Sequence, residues 1–348
     1  MINRHIFSGL SILVTGHTGF KGTWLVHYLN SVGARVYGFS LPLSNENQFF
    51  IDSNAEEKMQ QSFFGDIREA QDVEELIHRI SPDYVFHLAA QPIVARSYLD
   101  PQQTISTNVI GTANLLISAL QATSVKGITL AATDKVYMGE LNSNSFKETD
   151  PLGGRDPYSA SKAAAEIITE SLYISCNPTN KPVSSIRAGN VIGGGDTGPY
   201  RLIPDILRSI ENNEVLDIRN LNATRPFQYI TDAISGYLLS AQAHLSDKNT
   251  YEFTSYNIGP SKSISVEQVL QIFSEYFKMS ISTNSDKPKF FETSRLSLNA
   301  DHAKNKLGWQ LKYSPEEAVR MTAEWYQGIK AGTDLEELIS KTLSENLL

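Results

Sequence analysis

The sequence predicts an α/β fold, a doubly wound parallel sheet with a smaller C-terminal α/β region laid over its open end. Three observations carry this expectation. Short β-rich runs alternate with helical patterns through the first half of the chain. A glycine-rich turn joins the first run to the first helical pattern. The alternation then lapses after Asn190, where Gly193, Gly194 and Gly195 cluster.

In chain order, strands are expected over residues 11–15, 35–40, 84–88 and 127–132, and helices over 23–32, 70–80 and 104–121. A further helix begins near Tyr158, with Asp156 as N-cap and Pro157 in the first turn. A strand over 183–187 follows it. The residues after about Thr333 are polar and helix-prone, the composition of an end that frays.

The first turn reads Gly16-His17-Thr18-Gly19-Phe20-Lys21-Gly22. Glycines there let the backbone approach a pyrophosphate, and the helix start offers N–H donors. This makes the sheet Rossmann-type. The spacing Gly-x-x-Gly-x-x-Gly is weak alone, since glycines also serve plain turns. Its place between first strand and first helix strengthens it. The second strand ends in Phe39-Ser40-Leu41, without the acid that usually holds the adenine ribose. No basic cluster awaits a 2′-phosphate either, which favours NAD over NADP. Asp66, after the third strand, is expected either to accept from an adenine amine or to cap a helix. Residues 1–190 are therefore assigned to an NAD-binding domain that includes the Tyr158 helix. Residues 191–348 are assigned mainly to substrate binding, with some chain crossing back to the sheet.

Composition excludes other classes. A formal charge of −8 argues against nucleic acid, whose phosphates reward clustered cations. Cys176 is the only cysteine, so neither an internal disulfide nor a cysteine-based metal site is expected, in keeping with a reducing cytoplasm. No apolar run reaches membrane-span length, and the opening MINRHIFSGL has no signal-peptide pattern. His and carboxylate spacings suggest no metal site.

Tyr158 and Lys162 stand four apart, so a helix places them on one face. An ammonium beside a phenol favours the phenolate, which can take a hydroxyl proton as hydride leaves the same carbon. The bland alternative is a solvated helix face. Thr133-Asp134-Lys135 follows an apolar strand and should emerge at the sheet's carboxyl edge, where ligands bind. Ordinary loop chemistry could place three polar residues there. A hydroxyl, an acid and an amine beside a Tyr/Lys pair instead fit a multi-step proton transfer.

These residues resemble the extended short-chain dehydrogenase/reductase family, and within it the CDP-glucose 4,6-dehydratases. The stretches carrying the resemblance include Val14 to Gly22, Ala89-Ala90-Gln91-Pro92, Thr133-Asp134-Lys135, Asp156-Pro157-Tyr158-Ser159, Arg187 to Asp196, Arg201-Leu202-Ile203-Pro204-Asp205 and Arg225-Pro226. The resemblance implies oxidation of a nucleotide-linked hexose at C4, water loss across C5/C6 and reduction at C6. It implies Tyr158, Lys162, Thr133, Asp134 and Lys135 as catalytic. For the cofactor it implies Gly16, Thr18, Gly19, Phe20, Lys21, Gly22, Asp66, Ile67, Leu88, Ala89, Ala90 and Thr107, with Tyr158 and Lys162. Lys135 as base requires a neutral amine for part of the cycle, so coupling to Lys162 or burial is expected to lower its pKa. The family usually carries Cys, Trp and His where Val136, Phe227 and Tyr229 stand, and a Trp-containing stretch at residues 197–200. These departures are expected largely in the nucleotide-sugar region.

A nucleotide diphosphate needs cations. Arg219, Arg225 and Arg201 are candidates, each with an ordinary surface ion pair as its alternative. Gln91, Asn108 and Asn190 are further substrate candidates, and Asn190 could equally be a turn residue. His87 reads as a satisfied core histidine. The apolar faces over 104–121 and 158–172 either pair with a second subunit, giving a homodimer or homotetramer, or are core. Rival readings are a 4-epimerase, a reductase, or a nucleotide-binding scaffold without turnover. The intact Tyr/Lys pair and the Thr-Asp-Lys run count against them.

Overall fold

The computed structural model describes residues 2–138, 145–246, 253–283 and 297–348. Seven parallel strands form the central sheet. They are β1 (Ser11–Thr15), β2 (Arg35–Ser40), β3 (Gln61–Phe64), β4 (Tyr84–His87), β5 (Ile128–Thr133), β6 (Val183–Ala188) and β7 (Phe253–Ile258), in the order β7-β6-β5-β4-β1-β2-β3. The order in which strands are added reverses between β1 and β4, which pair directly and in parallel. A crevice at such a switch point is where open α/β sheets bind ligands.

The strands are nearly continuous apolar runs because both faces are covered. One face packs α1 (Phe20–Ser31) and α6 (Ile230–Ser246) into the main core, with Trp24, Tyr28, Tyr237 and Leu238 fully buried. The other packs α2 (Ala70–Ile80), α3 and α4 (Pro157–Cys176) around Leu13, Val85, Leu115, Leu116 and Ile128. Helix α3 runs from Pro101–Ile105 through a π turn, Ser106–Gly111, into Thr112–Gln121. Two further helices, α5 (Leu202–Asn212) and α7 (Val266–Tyr276), precede the C-terminal pair. The sheet borrows β7 from the second half of the chain, and β7 pairs with β6 from Phe253↔Val183 to Ile258↔Ala188.

The C-terminus does not fray. Helix α8 (Pro315–Lys330) and helix α9 (Leu335–Asn346) close the main core, and Ile339, Leu343 and Leu347 are buried in it. Those three recur at four-residue spacing within a polar sequence, so a narrow apolar stripe docks a helix whose composition reads as exposed.

Candidate active site

The turn after β1 is built by close approach. Gly16 has φ +72°, and a Cβ there would lie 2.6 Å from the Ala89 amide nitrogen. A Cβ on Gly22 would lie 2.2 Å from the Gly16 carbonyl oxygen. Helix α1 opens at Gly19 with no side-chain cap, so its first N–H groups point outward without a capping side chain. The turn therefore fits a dinucleotide pyrophosphate: glycine is required at its walls and donors are exposed at its mouth. Leu88, Ala89 and Ala90, half-buried after β4, form the facing wall. Thr18 is buried, with its carbonyl accepting from Asn47 Nδ2 at 3.1 Å. Thr107 is half-buried in the π turn.

His17 turns away from the mouth. Its ring bonds Ser40 Oγ at 3.1 Å and Ser62 Oγ at 2.7 Å, and burial lowers its pKa to about 4. The ring lies where a Cβ on Gly38 would be, 2.4 Å away, which explains the glycine inside β2. Asp66 does not cap α2, whose N-cap is Glu69. It accepts from the Arg68 amide at 2.9 Å and takes the Arg68 guanidinium on both oxygens, which holds its carboxyl below the usual range. Ile67 is buried, packed where a Cβ on Gly111 would go.

Lys162 and Tyr158 are both buried on the first turns of α4, which starts with Asp156 accepting from Ser159 N and Pro157 at its head. Lys162 Nζ donates to the Ala131 carbonyl at 2.8 Å, tying the helix to the end of β5. Burial, with the Lys21 cation second, lowers Lys162 to about 8, while Glu166 opposes. The cation acting on Lys162 is thus Lys21, whose Nζ itself donates to Tyr237 Oη at 3.3 Å.

Thr133 ends β5 and caps the short 3-10 turn Asp134–Val136, which packs against α4. Thr133 Oγ1 donates to Asp134 Oδ1 at 3.1 Å, and Lys135 Nζ reaches the same oxygen at 3.4 Å. Asp134 is fully buried, and its Oδ2 has no hydrogen-bond partner among the described residues. A buried carboxylate oxygen left open is costly unless a ligand meets it.

Several of the expected ligands also bond within the chain. Asn108 is fully buried, and its amide accepts from Gln91 N at 2.8 Å and donates to Gln91 O at 3.1 Å and Ser161 Oγ at 2.9 Å. Gln91 spends its own side chain on Ile93 N and Thr104 Oγ1. Both clip the β4 loop, the π turn and α4 to one another. Arg201 is forked onto Asp196 at 2.8 and 3.0 Å. Arg219 is exposed, and half-buried Arg225 donates to the Thr224 carbonyl. Asn190 lies past β6 with a buried Oδ1 that meets no hydrogen-bond partner among the described residues. His87 is a satisfied core histidine, bonded to Thr15 Oγ1 and Thr112 Oγ1 and lowered to about 3 by burial. Val136, Phe227 and Tyr229 are all buried and pack in hydrophobic clusters. Tyr200, in the altered stretch, is 64 % exposed with φ +58°. Among the described residues no group of three His, Cys, Asp or Glu could hold a metal, and no helix is long and apolar enough to cross a membrane.

Sequence reasoning missed one buried cluster, Arg187 with Glu166 and Tyr137. Its signal was an arginine inside a strand of otherwise small and apolar residues.

A family model described as GDP-mannose 4,6 dehydratase matches residues 13–322. CDP-glucose 4,6-dehydratase of Salmonella typhimurium is 35% identical over 96% of this chain and 95% of its own. The X-ray structure of Pal from Bacillus thuringiensis superposes with TM-score 0.78 at 28% identity, covering 92% of this chain and 100% of that one. UDP-glucose 4-epimerase of Thermotoga maritima gives TM-score 0.78 at 25% identity with the same coverage.

Proposed function

The chain belongs to the GDP-mannose 4,6 dehydratase family, and on that premise we propose that it is an NAD-dependent nucleotide-sugar 4,6-dehydratase acting on CDP-glucose. The observation that carries the reaction is fully buried Asp134 paired with half-buried Lys135 beside the Tyr158 helix, with one carboxylate oxygen left open among the described residues. A 4-epimerase needs no acid for a departing hydroxyl, which disfavours that reading. The 35% relative supports cytidine as the base. NAD rather than NADP fits a β2 end of Ser40 and Leu41 and an Arg68 already paired with Asp66.

The turn from Gly16 to Gly22 would hold NAD, which would supply a hydride acceptor for C4 and a hydride donor for C6. The chain supplies the protons. Tyr158 takes the 4-hydroxyl proton, and Lys162 stabilises the phenolate charge. Thr133 orients the same oxygen. The resulting ketone acidifies C5. Transfer of one proton from Lys135 to Asp134 within their pair makes an amine base and a carboxylic acid together. Lys135 then takes the C5 proton as Asp134 protonates the leaving 6-hydroxyl, and water departs. Lys135 returns a proton to C5, and the pair regains one equal to that taken by Tyr158. Asn190 Oδ1 suits a sugar hydroxyl, and Arg219 and Arg225 suit the diphosphate.

The test is turnover of a panel of CDP-, dTDP-, GDP- and UDP-hexoses, read by the ultraviolet absorbance of a 4-keto sugar in base. Turnover of CDP-glucose above the others is expected. An epimer without a chromophore would contradict the dehydratase reading.

The partner assigned to this chain is a second copy. Ile110 and Ile117 on α3, and Ile167 and Ile174 on α4, are 51, 41, 54 and 75 % exposed. Seven-residue spacing puts each pair on one face of its helix, as a helix-pairing seam requires. Light scattering should return twice the 38.6 kDa chain mass; Ile117→Lys with Ile167→Glu should return it once. A wild-type chain that scatters as one copy would contradict the pairing.

A further inference from the structure

We propose that Arg187, Glu166 and Tyr137 form a buried positioning brace that fixes the elimination turn against the oxidation helix. The inference rests on the dehydratase reading for the names of those steps. Its geometry stands apart from it.

Arg187 and Glu166 are 3 and 5 % exposed. Arg187 Nε lies 3.0 Å from both Glu166 oxygens, and Nη2 lies 2.7 Å from Oε2. Glu166 is one helical turn past Lys162 on α4. From the same guanidinium, Nη1 donates to Tyr137 Oη at 2.9 Å and to the Glu148 carbonyl at 3.1 Å. Tyr137 is two residues past Lys135, directly after the 3-10 turn. Its hydroxyl donates to Asn257 Oδ1 at 2.5 Å, and its ring stacks on Phe146 at 4.7 Å. Asn257 sits on β7 opposite Arg187. The planar fork thus reaches two elements at fixed angles, one carrying Tyr158 and Lys162, the other Asp134 and Lys135.

Stability alone does not account for this. A buried ion pair is often no better than apolar residues of the same volume. What it supplies is a fixed geometry, because a guanidinium bonds in set directions. The opposite side of α4 is held as well, by Asn108 on Ser161. The helix is therefore clamped from both sides at the level of its catalytic turns. Elimination follows oxidation on one sugar that does not leave between the steps. The two sets of groups must then keep their spacing to a fraction of an ångström.

The test is Tyr137→Phe, which keeps the ring stack and removes the hydroxyl link. Arg187→Lys and Arg187→Met, which weaken and remove the fork, serve as a graded pair. Tyr137→Phe should lower kcat about tenfold and leave KM within about twofold, with reduced nicotinamide building up during turnover. Amide hydrogen exchange over residues 133–138 should quicken at the same time. Arg187→Lys should retain more of kcat than Arg187→Met. Wild-type kcat, no reduced nicotinamide and unchanged exchange in Tyr137→Phe, with only a lower Tm, would overturn the brace. A wild-type protein inert on every nucleotide hexose would instead fail the dehydratase reading, and exchange over 133–138 would still decide the brace.

Discussion

Lys135→Ala protein is expected to oxidise the sugar and then stall. Lys135 is the group placed to take the C5 proton, and its loss leaves Tyr158 and Lys162 untouched on α4. A single reduction of bound cofactor should therefore appear, with the 4-keto hexose held on the enzyme. Formation of the dehydrated product should fall roughly a hundred- to ten-thousand-fold, the range for a positioned acid or base. The variant also strips Asp134 of the ammonium 3.4 Å from its Oδ1, while Thr133 continues to donate to that oxygen. Asp134→Asn is the companion: it should oxidise too, and stall because no acid meets the leaving hydroxyl. Stopped-flow absorbance of the nicotinamide, with mass analysis of the quenched sugar, reads both. Dehydration at the wild-type rate in Lys135→Ala would remove Lys135 from the mechanism.

Tyr158→Phe should fail one step earlier. The phenol is the acceptor for the 4-hydroxyl proton, so neither reduced cofactor nor ketone should form, and overall rate should drop roughly a hundred- to ten-thousand-fold. The fold should hold. Tyr158 hydroxyl makes no hydrogen bond to another described residue, so the substitution orphans no partner, and the change in stability should stay within about 1 kcal/mol. Cofactor titration by fluorescence should show near-normal binding with the first chemical step lost. Reduction of bound cofactor at an undiminished rate would reassign the first proton transfer. The two variants together separate oxidation from elimination, which a single measurement of overall rate cannot do.

Much of this arrangement is legible in the amino-acid sequence. Short β-rich runs and a period-3.6 pattern match β1, β2 and α2 to the residue, because a sheet covered on both faces selects apolar strands and helices with one apolar face. Asp156 and Pro157 marked the start of α4, and the Tyr158/Lys162 spacing put both on it. What stayed hidden depends on contacts distant in sequence. Asn108 and Gln91 are common polar types, and only their mutual bonds across 17 residues show that they hold the chain to itself. The cation beside Lys162 is Lys21, brought across the sheet end from α1, and no spacing announces it. Polar α9 is docked by a three-residue stripe that composition averages away. Strand β7 could not be placed from local pattern, since its partner β6 lies 70 residues upstream in the register Phe253↔Val183.

The most direct measurement follows a deuterium label placed at C4 of the hexose in CDP-glucose. If the cofactor stays bound and one turnover joins oxidation, water loss and reduction, the label should appear in the C6 methyl of the product. In heavy water, C5 should carry solvent deuterium. Label retained at C4, or lost to the medium, would contradict the single-site sequence in which Tyr158, Asp134 and Lys135 serve one sugar in turn.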